Sequence, residues 1–314
     1  MAGLSFCDSG GSPIHPAQET SRETRLGVIY GLAAYSIWGF FPLFFKWVAH
    51  VPPLEVLSHR IAWSFITLLF IIAVTGRWNS VRSVASDRKA LAILGATTML
   101  ISTNWLVFII AVDHNQVLQS SFGYFVNPLV SVLLGAVFLG ERLGRLQMAS
   151  LFLATAGVLL LALSIGQVPW ISLVLALTFA LYGFLRKIVP ADALTGLFVE
   201  TLLLFPIASV YLAVLGSAGK GAFPSIHVDD NLLLPLAGVV TAVPLLWFSA
   251  AARRLNLSTI GFMQYITPTN HFLLAVLAFG EPFTSYHLAG FACIWAGLFA
   301  YSFDAARRRS VRVS

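Results

Sequence analysis

Charge is scarce in this chain. Asp, Glu, Lys and Arg make up 10% of the 314 residues, against 58% hydrophobic residues. A soluble domain carries roughly 25% charged residues, so this chain cannot cover itself with a surface suited to water. Cysteine is scarcer still, with Cys7 in a polar tail and Cys293 inside an apolar segment. That argues against a disulfide framework and against a structural zinc site. No Walker A lysine loop, HExxH, GxSxG or CxxC occurs, so an enzyme is not expected, nor is a metal or cofactor. The net charge of +6 would suit nucleic acid only if the basic residues shared one face. They sit instead at the ends of apolar runs, which is the membrane pattern, and no nucleic-acid partner is expected. The segment Met1 to Arg25 is rich in Gly, Ser, Pro and Glu and lacks an apolar stretch. It reads as a disordered tail, because a secretory signal needs an apolar region and a cleavage site.

Long apolar runs are what the chain has in abundance. A span needs about 20 apolar residues, and ten are predicted: Leu26–Trp47, Leu54–Val74, Ala90–Val112, Gln116–Leu139, Leu146–Leu163, Val168–Leu185, Leu194–Leu215, Leu232–Ala252, Leu257–Phe279 and Ser285–Phe303. The connections are short apart from Thr75–Lys89 and Gly216–Asn231. With ten spans, 16 of the 19 Lys and Arg residues fall on one side. The exceptions are Lys46, Arg60 and Lys220. This asymmetry puts both termini in the cytoplasm.

The chain also repeats itself at a spacing of 140 residues. Asn127-Pro128-Leu129 and Leu139-Gly140-Glu141 answer to Thr267-Pro268-Thr269 and Phe279-Gly280-Glu281. Gly157 answers to Gly297, while Leu54, Leu57 and Arg60 answer to Leu194, Leu197 and Glu200. Trp38-Gly39-Phe40 aligns with Tyr182-Gly183-Phe184 at a slightly different spacing. The expected organisation is therefore a first repeat over 26–163 and a second over 164–304, with tails at 1–25 and 305–314. Each repeat has five spans. Five is odd, so the second enters the membrane inverted relative to the first, an arrangement common among secondary transporters. The fold class expected is an all-α membrane protein of two inverted five-helix repeats.

Several segments carry a resemblance: Ala34-Tyr35-Ser36-Ile37-Trp38-Gly39, Ser58-His59-Arg60, Asn104-Trp105, Gly123 to Leu129, Gly140-Glu141-Arg142, Tyr182-Gly183 with Arg186-Lys187, Glu200-Thr201, and Phe262 to Pro268. In these the chain resembles the EamA group of the drug/metabolite transporter superfamily, from about Arg25 to the end of the last span. The resemblance implies ten helices in two inverted repeats and a permease of a bacterial inner membrane. The chain departs from that pattern at Asn270-His271, where apolar residues are expected.

Proline and polar residues point to the site. Pro128 and Pro268 fall near the middle of the fourth and ninth spans. A proline there would free the carbonyls of Tyr124 and Gln264, a cost in hydrocarbon unless protein, water or ligand satisfies them. Ser120, Tyr124, Asn127 and Ser131 form one helical stripe, and Gln264, Thr267 and His271 form its counterpart. Such stripes face either a cavity or a neighbouring helix. Arg60 and Glu200 are the acid and base residues inside spans, each about 9 Å into its helix, one near the outer end and one near the inner. Arg60 suits an anionic group. Glu200 suits a cation or a proton, and is the expected coupling residue. Asn104 and Trp105 are further substrate candidates. Glu55, Asp113 and His114 are expected to be solvated, Glu141 and Glu281 to cap helices or form salt bridges, and His59 and His287 to be satisfied core or interface histidines.

The function these features support is a secondary transporter of a small molecule. Its expected partners are that substrate and the lipid bilayer, and a homodimer is compatible with the sequence. The alternatives are an intramembrane enzyme, which no nucleophile–base or metal-ligand constellation supports, and a non-transporting receptor or structural protein, which counterflow of labelled substrate in liposomes would separate from a transporter. A C-terminal reporter fusion should be active only in the cytoplasm, and one in Gly216–Asn231 only outside. A C-terminus found outside would overturn the ten-span count and the inverted repeat together.

Overall fold

The structure, a computed structural model, describes residues 16–139, 144–165, 168–224, 228–252, 254–255 and 263–313. Among these residues the chain is helical throughout, with no strand. The helices are α1 (Pro16–Trp47), α2 (Pro53–Thr75), α3 (Trp78–Ser86), α4 (Arg88–Asp113), α5 (Val117–Leu139), α6 (Arg145–Ile165), α7 (Trp170–Ile188), α8 (Ala193–Ser217), α9 (Val228–Ala252), α10 (Ile266–Leu273), which continues as one π-helical stretch over Leu274–Ala278, and α11 (Ser285–Val313). Apart from the short α3, each answers to one predicted span. Gly140, Glu141, Arg142, Phe262 and the segment 256–262 lie outside the described residues.

Local chemistry sets several boundaries. Pro53 occupies the first turn of α2, where its missing N–H costs nothing. Asp87 accepts from the amides of Lys89 and Ala90 to cap α4, and Asp192 does the same for Leu194 and Thr195 of α8. Gly76, at φ 65°, closes α2 in the left-handed region.

Three expectations need correction. α1 begins at Pro16, well before Leu26, so the second half of the expected tail is helical. The connection Thr75–Lys89 holds α3, whose apolar face packs Val84 inward. The prolines also differ from the expected pair of breaks. α5 runs unbroken through Pro128, because one lost hydrogen bond leaves its neighbours in place. Pro42, Pro206, Pro235 and Pro244 are likewise carried inside helices. Pro268 lies in the first turn of α10, with the break one step earlier, in a turn at Gln264–Tyr265.

The outside of the bundle is apolar. Phe70, Phe152, Leu277 and Phe299 are each about 70% exposed or more, which is tolerable only against lipid. Five helices are long and apolar enough to cross a membrane by length and composition among the described residues, and four shorter apolar helices accompany them.

Packing follows the repeat. α5 packs on α7, and their counterparts α10 and α1 pack together. α2 packs on α9 as α8 packs on α4, and α1 on α9 as α7 on α4. The remaining main interfaces, α2 with α8, α5 with α10 and α6 with α11, join each helix to its own counterpart. Every main interface therefore crosses between the halves, so neither repeat is a separate body.

Small residues allow the crossings. A Cβ on Gly157 would lie 2.8 Å from the carbonyl of Gly290, and one on Gly297 would lie 3.0 Å from that of Ser150. These are one contact seen twice, each partner shifted by 140 residues, as a two-fold through the α6/α11 crossing requires. Gly238 of α9 likewise meets the backbone of Trp63 on α2. Close approach of this kind drives helix association where lipid removes the hydrophobic term. Gly238→Ala should destabilise the detergent-solubilised protein by about 1–3 kcal/mol. Gly95→Ala, in open space, should be neutral or slightly stabilising. Equal unfolding midpoints for the two variants would show that the α2/α9 crossing does not need glycine.

Candidate functional site

Two buried polar clusters occupy equivalent places in the two repeats. The first surrounds Arg60, in the second turn of α2. Its guanidinium lies 4.2 Å from the ring centre of Trp105 and 5.4 Å from those of Phe41 and Phe45. Nε donates to Thr241 Oγ1 of α9 at 3.0 Å. Arg60 is buried, and among the described residues no carboxylate lies within ion-pair distance of it. Aromatic faces stabilise a cation, but they leave most of its hydrogen-bonding capacity and its charge unpaired.

One turn along α4 from Trp105, Phe108 stacks on His271 at 5.2 Å. His271 Nε2 lies 3.0 Å from the carbonyl of Trp38. A carbonyl only accepts, so Nε2 holds the proton in the neutral ring and Nδ1 is an acceptor. That Nδ1 is buried without a partner. Tyr124 packs edge-on against His271 at 5.8 Å and donates its hydroxyl to Asn104 Oδ1 at 3.0 Å. Asn104 in turn donates to Thr178 Oγ1 at 3.0 Å and to the carbonyl of Leu175 at 3.1 Å. Arg60, Asn104, Trp105, Tyr124 and His271 are thus gathered where α1, α2, α4, α5 and α10 meet.

The other expected site residues are placed elsewhere. Thr267 donates to the carbonyl of Tyr35 at 2.9 Å, an interhelical tie. Asn127 is buried and accepts from Ser131 at 3.2 Å, one turn along α5. Gln264 is half-buried in the turn before α10. Asn270 fills the space that Gly39 leaves open on α1.

The second cluster surrounds Glu200 on α8. Thr97 of α4 donates to Oε1 at 2.7 Å, and Tyr182 of α7 donates to Oε2 at 3.3 Å. Arg186 Nε lies 3.9 Å from Oε1. Glu200 and Arg60 therefore belong to separate clusters, and Arg186 is the cation that faces Glu200. Arg186 counts in the sequence as one of the basic residues ending a span, and its partnership was not foreseen. Arg186 stands two residues before the end of α7 and Glu200 seven residues into α8, so spacing alone does not announce the pair, and the long arginine side chain spans the offset. Gly196 supplies the room, because any Cβ there would overlap the Arg186 guanidinium. Arg186 also donates to the Asp192 carbonyl at 3.2 Å, and the Asp192 carboxylate meets Arg77 at 3.0 Å. Partial burial pushes the Asp192 carboxyl up, but the bonds from Thr195 and Leu194 and the nearby Arg77 outweigh it and hold it below its ordinary range.

The symmetry between the clusters is close. Arg60 bonds a threonine of α9 and touches Phe41 and Phe45, one turn apart on α1. Glu200 bonds a threonine of α4 and touches Tyr182 and Arg186, one turn apart on α7. Each pair of helices is the counterpart of the other.

The residues between the spans divide differently from expectation. Glu281 accepts from the amides of Val117 and Leu118 at 2.7 and 2.8 Å, capping α5 from the opposite repeat, as a capping role requires. Glu55, expected to be solvated, is only 1% exposed. The segment 218–224 folds over the start of α2, and the Ala222 amide donates to its Oε1. His59 is also not the satisfied histidine expected. Both its ring nitrogens are buried without a hydrogen-bond partner, with Nε2 3.9 Å from Glu55.

A helical bundle of interleaved inverted repeats with an apolar outside and buried polar clusters defines the class: a multi-pass membrane protein. The EamA-like transporter family model matches residues 25–163. The RarD protein of Salmonella typhi is 44% identical over 91% of this chain and 97% of its own length. An uncharacterized transporter of Vibrio cholerae is 44% identical over 90% and 94%. The chloramphenicol-sensitive protein RarD of Pseudomonas aeruginosa is 33% identical over 91% and 96%. One crystal structure superposes with a TM-score of 0.57 at 15% identity, over 87% of this chain and 96% of that one, a likeness of fold. This chain belongs to the EamA-like transporter family, among its RarD-type members in the drug/metabolite transporter superfamily.

Gly196→Ala should cost about 1 kcal/mol or more in the otherwise native chain, because it displaces a charged hydrogen-bond donor. It should cost little in an Arg186→Ala background, where the space is already vacant. An additive penalty in the thermal-unfolding cycle would show that Gly196 serves something other than the guanidinium.

Proposed function

We propose that this permease works by alternating access in a bacterial inner membrane, with both termini cytoplasmic. In this reading it carries a small molecule whose anionic group meets Arg60. The observation that carries the proposal is the state of Arg60: a guanidinium buried among Phe41, Phe45 and Trp105 with one threonine hydroxyl as its hydrogen-bond acceptor. A buried charge without a counter-ion is costly, and inside membranes such residues serve transport sites. An incoming anion supplies the missing partner. Tyr124, Asn104 and the free Nδ1 of His271 would then contact the rest of the molecule, and the surrounding rings suit an apolar or aromatic body.

Glu200 is the coupling residue in this proposal. Its ties to Thr97, Tyr182 and Arg186 hold α4, α7 and α8 together at the end of the bundle that bears most of the basic residues. Opening that end separates Glu200 from Arg186 and leaves the carboxylate to exchange a proton.

Comparing metabolites between overexpressing and deletion cells identifies the substrate. Counterflow of the labelled compound in proteoliposomes then tests the roles. Arg60→Gln should reduce exchange of an anionic substrate by about a hundredfold, the scale of one buried charge-assisted contact. Arg60→Lys should rescue it only partly, since lysine lacks the planar fork and stacks less well. Glu200→Gln should abolish uptake driven by a pH gradient while leaving exchange intact. Exchange unaffected by Arg60→Gln would refute the anion site, and undiminished concentrative uptake by Glu200→Gln would refute the coupling role.

A further inference from the structure

At the end of the bundle remote from both termini lies a second polar site that the transport proposal does not use. A cavity of about 190 Å³ is lined by Glu55, His59, Trp63, Ile66, Leu212 and Phe223, among others. Glu55 and His59 are the ionisable groups in its lining. Glu55 is buried, and its one ion-pair neighbour among the described residues is His59, at 3.9 Å. A carboxylate offers about four lone-pair sites, and the Ala222 amide uses one of them. Both ring nitrogens of His59 are buried and unpartnered. The ring meets Phe223 edge-on at 5.4 Å, and Trp63 meets Phe223 at 6.0 Å. The remaining walls are aliphatic, and Ile66 is exposed on the outside of the bundle.

We propose that this cavity binds a primary ammonium group carrying an apolar tail. The charge of the site is one reason. A neutral imidazole beside a carboxylate leaves one buried negative charge, and such a charge calls for a cation. Hydrogen bonding is the second. A primary ammonium has three donors and no acceptor, which matches a carboxylate and an imidazole acceptor one helical turn apart. A quaternary ammonium offers no N–H and satisfies neither. The π-faces of Trp63 and Phe223 favour a cation, and Ile66 and Leu212 lead the tail toward the lipid. The ammonium has two natural sources: a free amine, or the headgroup of an ethanolamine phospholipid.

The test uses the full chain in detergent, followed by thermal unfolding. Benzylamine should raise the midpoint in a saturable way. Benzyl alcohol and benzyltrimethylammonium should each do so at least about tenfold more weakly, the cost of losing charge-assisted hydrogen bonds. Glu55→Gln should remove the benzylamine effect. Ile66→Trp, which narrows the cavity and keeps both polar groups, should weaken it by a similar factor and guards against a misfolded Glu55 variant. Repeating the titration in nanodiscs separates the sources. A benzylamine effect present in phosphatidylcholine but absent in phosphatidylethanolamine identifies the lipid headgroup, and an effect present in both identifies a free amine. The proposal is overturned if the primary and quaternary amines act equally, if neither acts, or if Glu55→Gln responds as the parent does.

Discussion

The structure depends on close contact between helices of opposite repeats. Lipid tails are as apolar as leucine side chains, so helices in a bilayer gain little by hiding apolar surface from one another. What holds them is van der Waals contact at short range and hydrogen bonds that have no water to compete with. In this chain the main contacts of each helix reach into the other half. Gly157 against Gly290, Gly297 against Ser150, and Gly123, where a Cβ would lie 2.6 Å from the Ser172 carbonyl, are the points where backbones approach too closely for a side chain. The hydroxyl ties follow the same geography, with Thr267 to Tyr35, Ser121 to Pro268 and Ser172 to Gln119 each bridging the halves. Because the halves interlock, neither repeat has a core of its own.

The same packing places the buried charges. Arg60 and Glu200 hold equivalent positions, and each binds a threonine on an equivalent neighbouring helix. The surroundings have diverged around that common frame. Arg60 stands among rings that offer π-faces, whereas Glu200 is met by two hydroxyls and a guanidinium. One site is electrostatically incomplete and the other is closed. That difference is what the proposed function rests on.

Several features were legible because they depend on local pattern. The spans follow from run length, the repeat from residues matching at a constant spacing, and the burial of Asn127, Glu200 and His271 from the cost of polar groups against lipid. A capping role for Glu281 was legible from its type and place, but not that the helix it caps is α5 of the other repeat. Other features were hidden for an equally physical reason. Glu55 looked solvated because it starts a helix, yet its burial comes from a segment about 165 residues away that folds over it. Asn104, Thr97 and Thr178 are common residues in membrane helices, and nothing local tells which will hydrogen-bond to which. Pro128 and Pro268 look alike in sequence. One is absorbed by a continuous helix and the other follows a turn, a difference set by what packs around them.

The sequence by itself determined that the chain crosses a membrane many times, that it does so as two repeats of opposite orientation, and that polar residues in the middle of its spans must turn away from lipid. These are consequences of run length, parity and solvation cost, all of which are additive along the chain. Only the tertiary structure decided the partners: Arg186 for Glu200, aromatic rings and Thr241 for Arg60, and a cavity for Glu55 and His59. Partnership is a matter of which helix faces which, and at what height. That depends on the crossing geometry of ten helices at once, which no single stretch of sequence contains.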